Sequence, residues 1–239
     1  MVKAVLLAAG RGTRLLPLTL DIPKVLIEVN GKPFLWYVLE HLRLAGVDEF
    51  GLVVGYKKEK IAEFVRDYLV HQGGVRITLI EQQEQVGTGH AVLCAKAFVG
   101  EDNFIVYSTD NLISELDLQR LPQDDGFTYV MAMQVEFPER YGVLVHEGER
   151  LKEIREKPKE FYGNWVNAGI YKFTPEIFTL LEGVKVSVRG EIEVTDAINL
   201  LARQGKVRLI KLQEYWLDLG KKDDIPKIHE FLRGKFRGV

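Results

Sequence analysis

The chain has 239 residues, of which 46% are hydrophobic and 28% charged, so it is long enough and apolar enough to bury a full core. Its formal charge of −2 and the lack of a Lys/Arg block argue against a nucleic-acid partner. No apolar run is long enough to cross a bilayer, and one cysteine, Cys94, excludes an internal disulfide framework. We therefore expect a cytoplasmic α/β protein that binds neither nucleic acid nor membrane.

The first half of the chain alternates short apolar runs with helical patterns. We predict strands at 2–7, 50–54, 75–80 and 104–107, and helices from Phe34 to about Gly46, at 59–69 and at 88–98. Strands separated by helices of this length require crossover connections, which favour a parallel, twisted sheet.

Strand-like segments are crowded together after about residue 125. We predict strands at 127–135, 142–146, 151–154 and 165–173, which indicate antiparallel additions beside the parallel sheet. Thr174 and Pro175 are typical of an N-cap followed by the first helical position. Helices are also predicted at 193–203 and 224–236.

A glycine-rich loop follows the first strand, where residues 7–15 read LAAGRGTRL. Gly10 and Gly12 let the backbone approach an anion closely, and Arg14 complements phosphate charge. The loop lacks the Gly-Lys-Ser/Thr of a Walker A motif. Leu15 stands where a dinucleotide-binding fingerprint has its third glycine.

Lys24 follows ten residues after Arg14 and could neutralise charge on a reacting phosphate. Together with the loop, Pro17, Thr19 and Pro23, it makes a pattern that resembles the N-terminal motif of the sugar-1-phosphate nucleotidylyltransferases. The resemblance implies a Rossmann-like fold, with a mostly parallel twisted sheet flanked by helices and extra antiparallel strands in the C-terminal half. It also implies that the nucleoside triphosphate is bound by residues of the loop, which are Leu7, Ala9, Gly10, Arg11, Gly12, Thr13 and Arg14.

A second segment resembles the part of the family that holds the base. Gln82 is followed by the sequence GTGHA at 87–91, and the resemblance implies base contacts from Gln82, Gly87 and Thr88. An amide can donate and accept hydrogen bonds at once, which suits a pyrimidine edge. The GTGHA form is most similar to uridylyltransferases that act on N-acetylglucosamine 1-phosphate.

Two aspartates match the family's metal ligands. Asp110 comes just after the fourth predicted strand, where a ligand crevice is expected, and Asp218 lies in the sequence WLDLG at 216–220. Two carboxylates suit Mg²⁺, which prefers oxygen ligands. The family usually has Gly before the first Asp, and Thr109 in this sequence would add a side chain near the metal.

The sugar side of the resemblance lies mainly in the second half. It implies contacts to the sugar from Tyr141, Gly142, Glu156 and Asn167, and to the sugar phosphate from Lys157. Thr195 lies in a matching segment near the sugar. With Arg14, Lys24 and Asp110, Lys157 makes up the implied catalytic set.

The resemblance covers residues 1 to about 220 and implies one domain over 1–239, with 1–125 mainly binding the triphosphate and 126–239 mainly binding the sugar phosphate. It implies Mg²⁺-dependent transfer from UTP or dTTP to a hexose 1-phosphate, glucose 1-phosphate first. Mannose 1-phosphate, N-acetylglucosamine 1-phosphate, muramic acid phosphate and choline phosphate remain alternatives, as does a non-catalytic regulatory relative. Assembly into a homo-oligomer is left open. Longer members carry a C-terminal β-helix or helical extension, which we expect to be absent here.

Overall fold

The computed structural model describes residues 2–122, 125–187 and 190–235. Its strands are β1 (Val2–Leu7), β2 (Glu28–Val29), β3 (Lys32–Pro33), β4 (Val47–Val54), β5 (Arg76–Glu81), β6 (Phe104–Ser108), β7 (Asn111–Ile113), β8 (Thr128–Gln134), β9 (Gly142–Glu147), β10 (Arg150–Glu156), β11 (Trp165–Phe173), β12 (Val207–Lys211) and β13 (Trp216–Asp218). Its helices are α1 (Phe34–Leu44), α2 (Lys58–His71), α3 (Thr88–Cys94), α4 (Lys96–Val99), α5 (Glu115–Leu118), α6 (Glu176–Gly183), α7 (Val194–Arg203) and α8 (Asp224–Lys235). None of these helices is long and apolar enough to cross a membrane.

The main sheet has the strand order β5-β4-β1-β6-β11-β8-β12-β10-β9. Parallel pairing joins β5, β4, β1 and β6, and joins β8 to β12. Antiparallel pairing attaches β11 to β6 and β8, and β10 to β12 and β9. The predicted α/β class is confirmed, with a parallel N-terminal half and antiparallel strands beyond it.

Helices cover both faces of this sheet, which explains why β1 is apolar on both sides. Leu6 belongs to a core cluster that contains Phe34 and Leu39 of α1. Val5, the next residue along the strand, belongs to a second cluster with Ile177 of α6 and Ile198 of α7. Successive side chains of a strand point to opposite faces, so one short run contributes to both cores.

Several predicted boundaries differ from the structure. The helix predicted at 88–98 is divided into α3 and α4, with Ala95 between them. Thr174 is not the N-cap of α6, because the helix begins at Glu176 and Pro175 takes the cap position without a side-chain hydrogen bond. Phe236, the predicted end of the last helix, lies outside the described residues.

Two pairings position the residues of the candidate site. Leu7 at the end of β1 is the register partner of Ser108 at the end of β6, so the segments that follow these parallel strands leave the sheet side by side. Asp218 of β13 is the antiparallel partner of Asn111 in β7, which brings it next to Asp110. The short strands β7 and β13 were not predicted from the sequence.

Candidate active site

A cleft of about 480 Å³ opens at the carboxyl ends of β1 and β6. All residues predicted to bind the triphosphate line it, together with Lys24 and Asp110. The sequence prediction missed further lining residues, which are Ala8, Leu15, Val25, Gln85, Ala91, Ser108, Thr109, Glu191 and Gly220. Most of these are neighbours of predicted residues in the chain, but Glu191 and Gln85 carry polar side chains that were not predicted to bind the triphosphate.

The phosphate loop depends on Gly12. Gly12 has φ +64°, and a Cβ there would lie 2.8 Å from the Cβ of Lys24. The Thr19 hydroxyl donates a 2.9 Å hydrogen bond to the Gly12 carbonyl, which holds the loop in this conformation. A side chain at Gly12 would therefore be strained and would displace Lys24.

The loop ends in a 3₁₀ turn, Thr13–Leu15, in which neighbouring side chains point to the core and to the cleft. Leu15 is completely buried, whereas Arg14 is exposed along the cleft. Arg14 also lies close enough to Asp218 for its positive charge to offset part of the rise in the pKa of that carboxyl, which burial and Asp110 cause. The turn thus presents Arg14 to the cleft and to the second predicted metal ligand.

Lys24 and Asp110 meet inside the cleft. The Lys24 Nζ donates to Asp110 Oδ2 at 2.7 Å, and the side chains are 18% and 35% exposed. Asn111 Nδ2 donates to the other carboxylate oxygen, Oδ1, at 3.0 Å. Both oxygens of Asp110 therefore have a donor.

The orientation of Asn111 is set from the late WLDLG segment. The indole N–H of Trp216 donates to Asn111 Oδ1 at 2.8 Å, so the amide nitrogen of Asn111 must face Asp110. Gly169 leaves the room for this amide, because a Cβ there would lie 3.0 Å from Asn111 Nδ2. A buried amide with both ends bonded is held in one orientation.

The hydroxyl of Thr109 is bonded to the end of β1. It donates a 2.6 Å hydrogen bond to the carbonyl of Leu7, and the residue is 2% exposed. The side chain that replaces the family's usual Gly therefore joins β6 to the end of β1. The backbone of Asp110 is held from the other side, where Leu219 N donates to its carbonyl at 2.8 Å.

Asp218 lies in an environment that disfavours a lone negative charge. Burial, and next the negative charge of Asp110, raise the pKa of Asp218 to about 6, while Lys24 and Arg14 act in the opposite direction. Two carboxylates in one partly buried place attract a cation. The resemblance implied that these two aspartates share a metal, and the pairing of β7 with β13 brings them together although they are 108 positions apart in the chain.

This donor set fits Mg²⁺. Both candidate ligands are carboxylate oxygens, and Mg²⁺ is commonly bound by one or two carboxylates, with waters and substrate phosphates completing its shell. Within the described ranges no group of three or more His, Cys, Asp or Glu residues could hold a metal by itself. Asp110 and Asp218 therefore suit a metal that shares its coordination with a substrate.

In the predicted base segment, the amide N–H groups of Gln82 are bonded within the protein. Gln82 is 4% exposed, and its Nε2 lies 3.2 Å from the Gly87 carbonyl and 3.1 Å from His90 Nδ1. The amide therefore does not offer a donor to the base, because protein acceptors take both of its N–H groups. Gly87 has φ +110°, and a Cβ there would collide with the backbone of Ile192, so this position requires glycine.

Thr88 lines the cleft, but its hydroxyl already has a structural partner. Val194 N donates to Thr88 Oγ1 at 3.1 Å, which ties the start of α7 to the start of α3. Thr195, predicted to lie near the sugar, is buried in the first turn of α7 and does not line the cleft. Its helix α7 packs against β10, the strand that carries Glu156, and Asn199 of α7 is hydrogen-bonded to the backbone of Ile154 in β10.

Tyr141, Gly142 and Glu156 come together beside the predicted metal ligands. Gly142 is the register partner of Glu156 across β9 and β10, and a Cβ at Gly142 would lie 3.0 Å from Glu156 Oε1. The ring of Tyr141 meets that of Trp216 edge to face at 5.4 Å between centroids. Burial raises the pKa of the Tyr141 hydroxyl, and the negative charge of Asp218 raises it further.

Lys157 and Asn167 complete this side of the site. Lys157 is exposed, has φ +44°, and its backbone N–H donates to the Tyr141 carbonyl at 3.0 Å. The Asn167 amide donates to the Tyr171 hydroxyl at 2.7 Å and accepts from Gly169 N at 2.9 Å. These residues lie around Asp110 and Asp218 but do not line the cleft of the phosphate loop.

Comparisons with known proteins indicate the family of this chain. The chain is 42% identical over 234 residues to the bifunctional protein GlmU of Methanocaldococcus jannaschii, covering 97% of this chain and 54% of that protein. It is 39% identical over 229 residues to the UTP–glucose-1-phosphate uridylyltransferase AglF of Haloferax volcanii, covering 93% of each. The chain thus spans about half the length of the GlmU relatives it matches, but nearly all of AglF.

Solved structures show the same similarity. A UDP-glucose pyrophosphorylase complexed with UDP-glucose matches with TM-score 0.89 and 26% identity, over 98% of this chain and 100% of that one. A UTP-bound UGPase from Acinetobacter baumannii matches with TM-score 0.85 and 27% identity, over 100% of this chain and 96% of that one. The family model described as nucleotidyl transferase matches residues 3–235. The chain therefore belongs to the nucleotidyl transferase family.

Proposed function

We propose that this chain transfers a nucleoside monophosphate from UTP or dTTP to a hexose 1-phosphate, with Mg²⁺, and releases pyrophosphate. Glucose 1-phosphate is the first choice of acceptor. The observation that carries the proposal is that the phosphate loop, Lys24, Asp110 and Gln82 line one cleft. Asp218 and the sugar-side residues lie directly beside Asp110.

The comparisons support the choice of substrates. AglF, which the chain matches over nearly its whole length, is named for UTP and glucose 1-phosphate. The structural neighbours include one complexed with UDP-glucose and one bound to UTP. Each of these names describes the relative, and together they make glucose 1-phosphate and a uridine nucleotide the first pair to test.

The chemistry requires positioning and charge neutralisation. A phosphate oxygen of the sugar phosphate attacks the α-phosphorus in line, a new P–O bond forms, and the bond to the β-phosphate oxygen breaks as pyrophosphate leaves. The attacking phosphate is already ionised at neutral pH and needs no general base. Charges that are preorganised around the phosphates therefore account for the rate.

The basic residues divide this work. Arg14 and the backbone of residues 10–13 would hold the leaving pyrophosphate. Lys24 would contact the α-phosphate, for which it must release or share Asp110 Oδ2. Lys157 would hold the incoming sugar phosphate. Asp110 and Asp218 would hold Mg²⁺, which when bound supplies positive charge at the phosphate oxygens.

We further propose that one domain spans 1–239, with the triphosphate bound mainly by residues 1–125 and the sugar phosphate mainly by residues 126–239. The cleft supports the first half of this division, since all its lining residues except Glu191 and Gly220 precede residue 126. Tyr141, Gly142, Glu156 and Lys157 support the second half, because they are joined to one another at the ends of β9 and β10 and the Tyr141 ring contacts Trp216, two residues before Asp218.

N-acetylglucosamine 1-phosphate is the second candidate acceptor. The GTGHA sequence at 87–91 resembles enzymes that use this sugar. In the structure, Glu156 has an exposed carboxylate at the end of β10, which would suit sugar hydroxyls. Glucose 1-phosphate remains first because AglF is matched over 93% of its length.

A substrate panel tests the proposal. Pyrophosphate release is measured for UTP, dTTP, CTP, ATP and GTP, each with glucose 1-phosphate and with N-acetylglucosamine 1-phosphate, and Asp110→Asn serves as the inactive control. We expect UTP and dTTP to exceed the other three by at least about a hundredfold in kcat/KM. A preference for GTP or CTP would indicate instead an enzyme that acts on mannose 1-phosphate or choline phosphate. No pyrophosphate release with any pair of nucleotide and sugar phosphate would indicate a non-catalytic relative.

A further inference from the structure

The amide of Gln82 can have only one orientation. Its Nε2 lies 3.2 Å from the Gly87 carbonyl oxygen and 3.1 Å from His90 Nδ1. A carbonyl oxygen only accepts hydrogen bonds, so the nitrogen end of the amide, and not its oxygen, must face Gly87. With one N–H directed at each acceptor, Gln82 has no donor left for a ligand.

Both acceptors belong to a well-braced segment. Gly87 has φ +110°, and a Cβ there would lie 2.4 Å from the Ile192 carbonyl oxygen, so only glycine fits. The segment is pinned on both sides of Gly87, because Ile192 N donates to Val86 at 2.7 Å and Gly89 N donates to Ile192 at 2.8 Å. His90 follows in the first turn of α3.

His90 takes part as an acceptor. Its Nδ1 faces the Gln82 amide nitrogen, which is a donor, so Nδ1 carries no proton. The imidazole is therefore neutral, with its proton on Nε2. A residue without an acceptor at this position would leave one N–H of the nearly buried Gln82 without a partner.

The remaining group of Gln82 is its carbonyl oxygen, Oε1. Among the described residues no donor is bonded to Oε1. This oxygen is also not fully buried, so a ligand can reach it. Because Gln82 lines the cleft, this oxygen is the atom it can present to a ligand there. A base that meets Gln82 must therefore bring a hydrogen-bond donor.

We propose that His90 is a positioning residue for base selection, which holds the Gln82 amide so that only Oε1 faces the base. This inference rests on the proposed function. Uracil and thymine carry a proton on ring nitrogen N3, which Oε1 would accept. Cytosine has a lone pair on N3, which Oε1 would repel. The selection then needs two side chains, Gln82 to read the base and His90 to fix which end of the amide reads it.

Two substitutions of His90 separate its role as acceptor from its bulk. His90→Phe keeps a ring and removes the acceptor, whereas His90→Asn can place Oδ1 where Nδ1 lies. His146→Phe is the matched control, because His146 lies on β9, where its Nδ1 is bonded to Gly148 and it does not line the cleft. For each variant, equilibrium binding of UTP, CTP and inorganic pyrophosphate is measured, followed by kcat/KM.

We expect His90→Phe to weaken UTP binding about tenfold or more, the scale for an unpaired buried N–H, and to narrow the UTP-to-CTP ratio by a similar factor. Pyrophosphate, which has no base, should bind as in the unchanged protein. His90→Asn should recover most of the UTP-to-CTP ratio, and His146→Phe should leave the binding of UTP and of pyrophosphate unchanged. If His90 had only a structural role, His90→Phe would weaken the binding of UTP and of pyrophosphate together, and that result would overturn the proposal.

A measurement on the unchanged protein covers the case in which the Phe variant does not fold. Nitrogen-15 NMR of the histidines reports the tautomer, and His90 should be neutral with its proton on Nε2. A proton on Nδ1 at neutral pH would overturn the proposal. If the unchanged protein prefers UTP to CTP but His90→Phe keeps that preference, the inference on His90 fails alone. If the unchanged protein shows no such preference, the pyrimidine choice of the proposed function fails with it.

Discussion

Lys24 and Asp110, 86 positions apart in the chain, form a 2.7 Å ion pair between Lys24 Nζ and Asp110 Oδ2. Under the proposed function each has another partner, the α-phosphate for Lys24 and the metal for Asp110. Without substrates, the ammonium group occupies a carboxylate oxygen that a divalent cation would use. Metal binding and the release of Lys24 are therefore coupled.

Lys24→Met should raise the affinity of the substrate-free protein for a divalent cation about fivefold or more. The reason is that a positive charge within about 4 Å of the metal position is worth ~1 kcal/mol even in water. Turnover should fall in the same variant. Mn²⁺ titration followed by electron paramagnetic resonance measures the affinity, with Lys57→Met as control, since Lys57 pairs with the exposed Asp21. An unchanged Mn²⁺ affinity would show that Lys24 does not compete with the metal.

Asp110→Asn and Asp218→Asn should each lower turnover by at least about a hundredfold, because each removes the charge of a metal ligand. The fold should persist, as the amide keeps the size of the carboxylate. Turnover at saturating Mg²⁺ and the melting temperature are the measurements. Asp21→Asn, on an exposed loop, is the control. Near-normal rates in both site variants would remove the metal assignment.

Arg14→Ala and Lys157→Ala should impair the use of different substrates. Arg14 lines the cleft of the phosphate loop, so its loss should mainly impair use of the triphosphate. Lys157 is tied to Tyr141 on the sugar side, so its loss should mainly raise the KM for the sugar phosphate. Each loss should amount to about 2–4 kcal/mol, because phosphate charge is left uncompensated. Steady-state kinetics with each substrate varied measures the division, and Lys159→Ala is the matched exposed control. Impairment of one and the same substrate in both variants would contradict it.

Asp125 should stabilise the fold in a pH-dependent manner. Its carboxylate pairs with Lys172, which is almost fully buried, at 3.1 Å and also accepts from the Tyr129 hydroxyl. Burial opposes ionisation of Asp125, but these hydrogen bonds outweigh it and lower its pKa. A lowered folded-state pKa stabilises the protein above the unfolded value of about 3.9, and this contribution is lost as the pH falls through the folded value.

Asp125→Asn should therefore cost about 1–2 kcal/mol at pH 7, less than a fully buried pair because Asp125 is about one third exposed. The cost should shrink as the pH falls below about 4. Urea unfolding at several pH values measures this, with Glu176→Gln, from an exposed pair with Lys206, as the control. A cost that does not change with pH would indicate that the charge of Asp125 is not responsible.

The sequence by itself predicted the elements whose patterns are local. The run at β1 is apolar on both faces because helices cover both sides of the sheet, and the prediction of Val2–Leu7 matches the structure. The strand β11 was also predicted with its observed bounds, Trp165–Phe173. The short strands β7 and β13 were missed, because three residues carry no periodicity and their pairing partners are remote in the chain.

The residues of the candidate site could be proposed from the sequence because their motifs are dense, and the structure brings the phosphate loop, Lys24, Asp110 and Gln82 into one cleft. Thr195 was associated with the sugar side by its motif, and its helix α7 packs against β10, the strand that carries Glu156. The predicted N-cap at Thr174 was wrong by one residue, because α6 begins at Glu176 and not at Pro175.

Which group of each side chain is available was decided by the tertiary structure alone. Gln82 was predicted to donate and accept, but Gly87 and His90 take both of its N–H groups. Thr109 was expected to add a side chain near the metal, but its hydroxyl reaches the end of β1. A motif specifies residue types, whereas hydrogen bonds to partners that are remote in the chain determine which atoms remain free, and those partners exist only once the strands have paired.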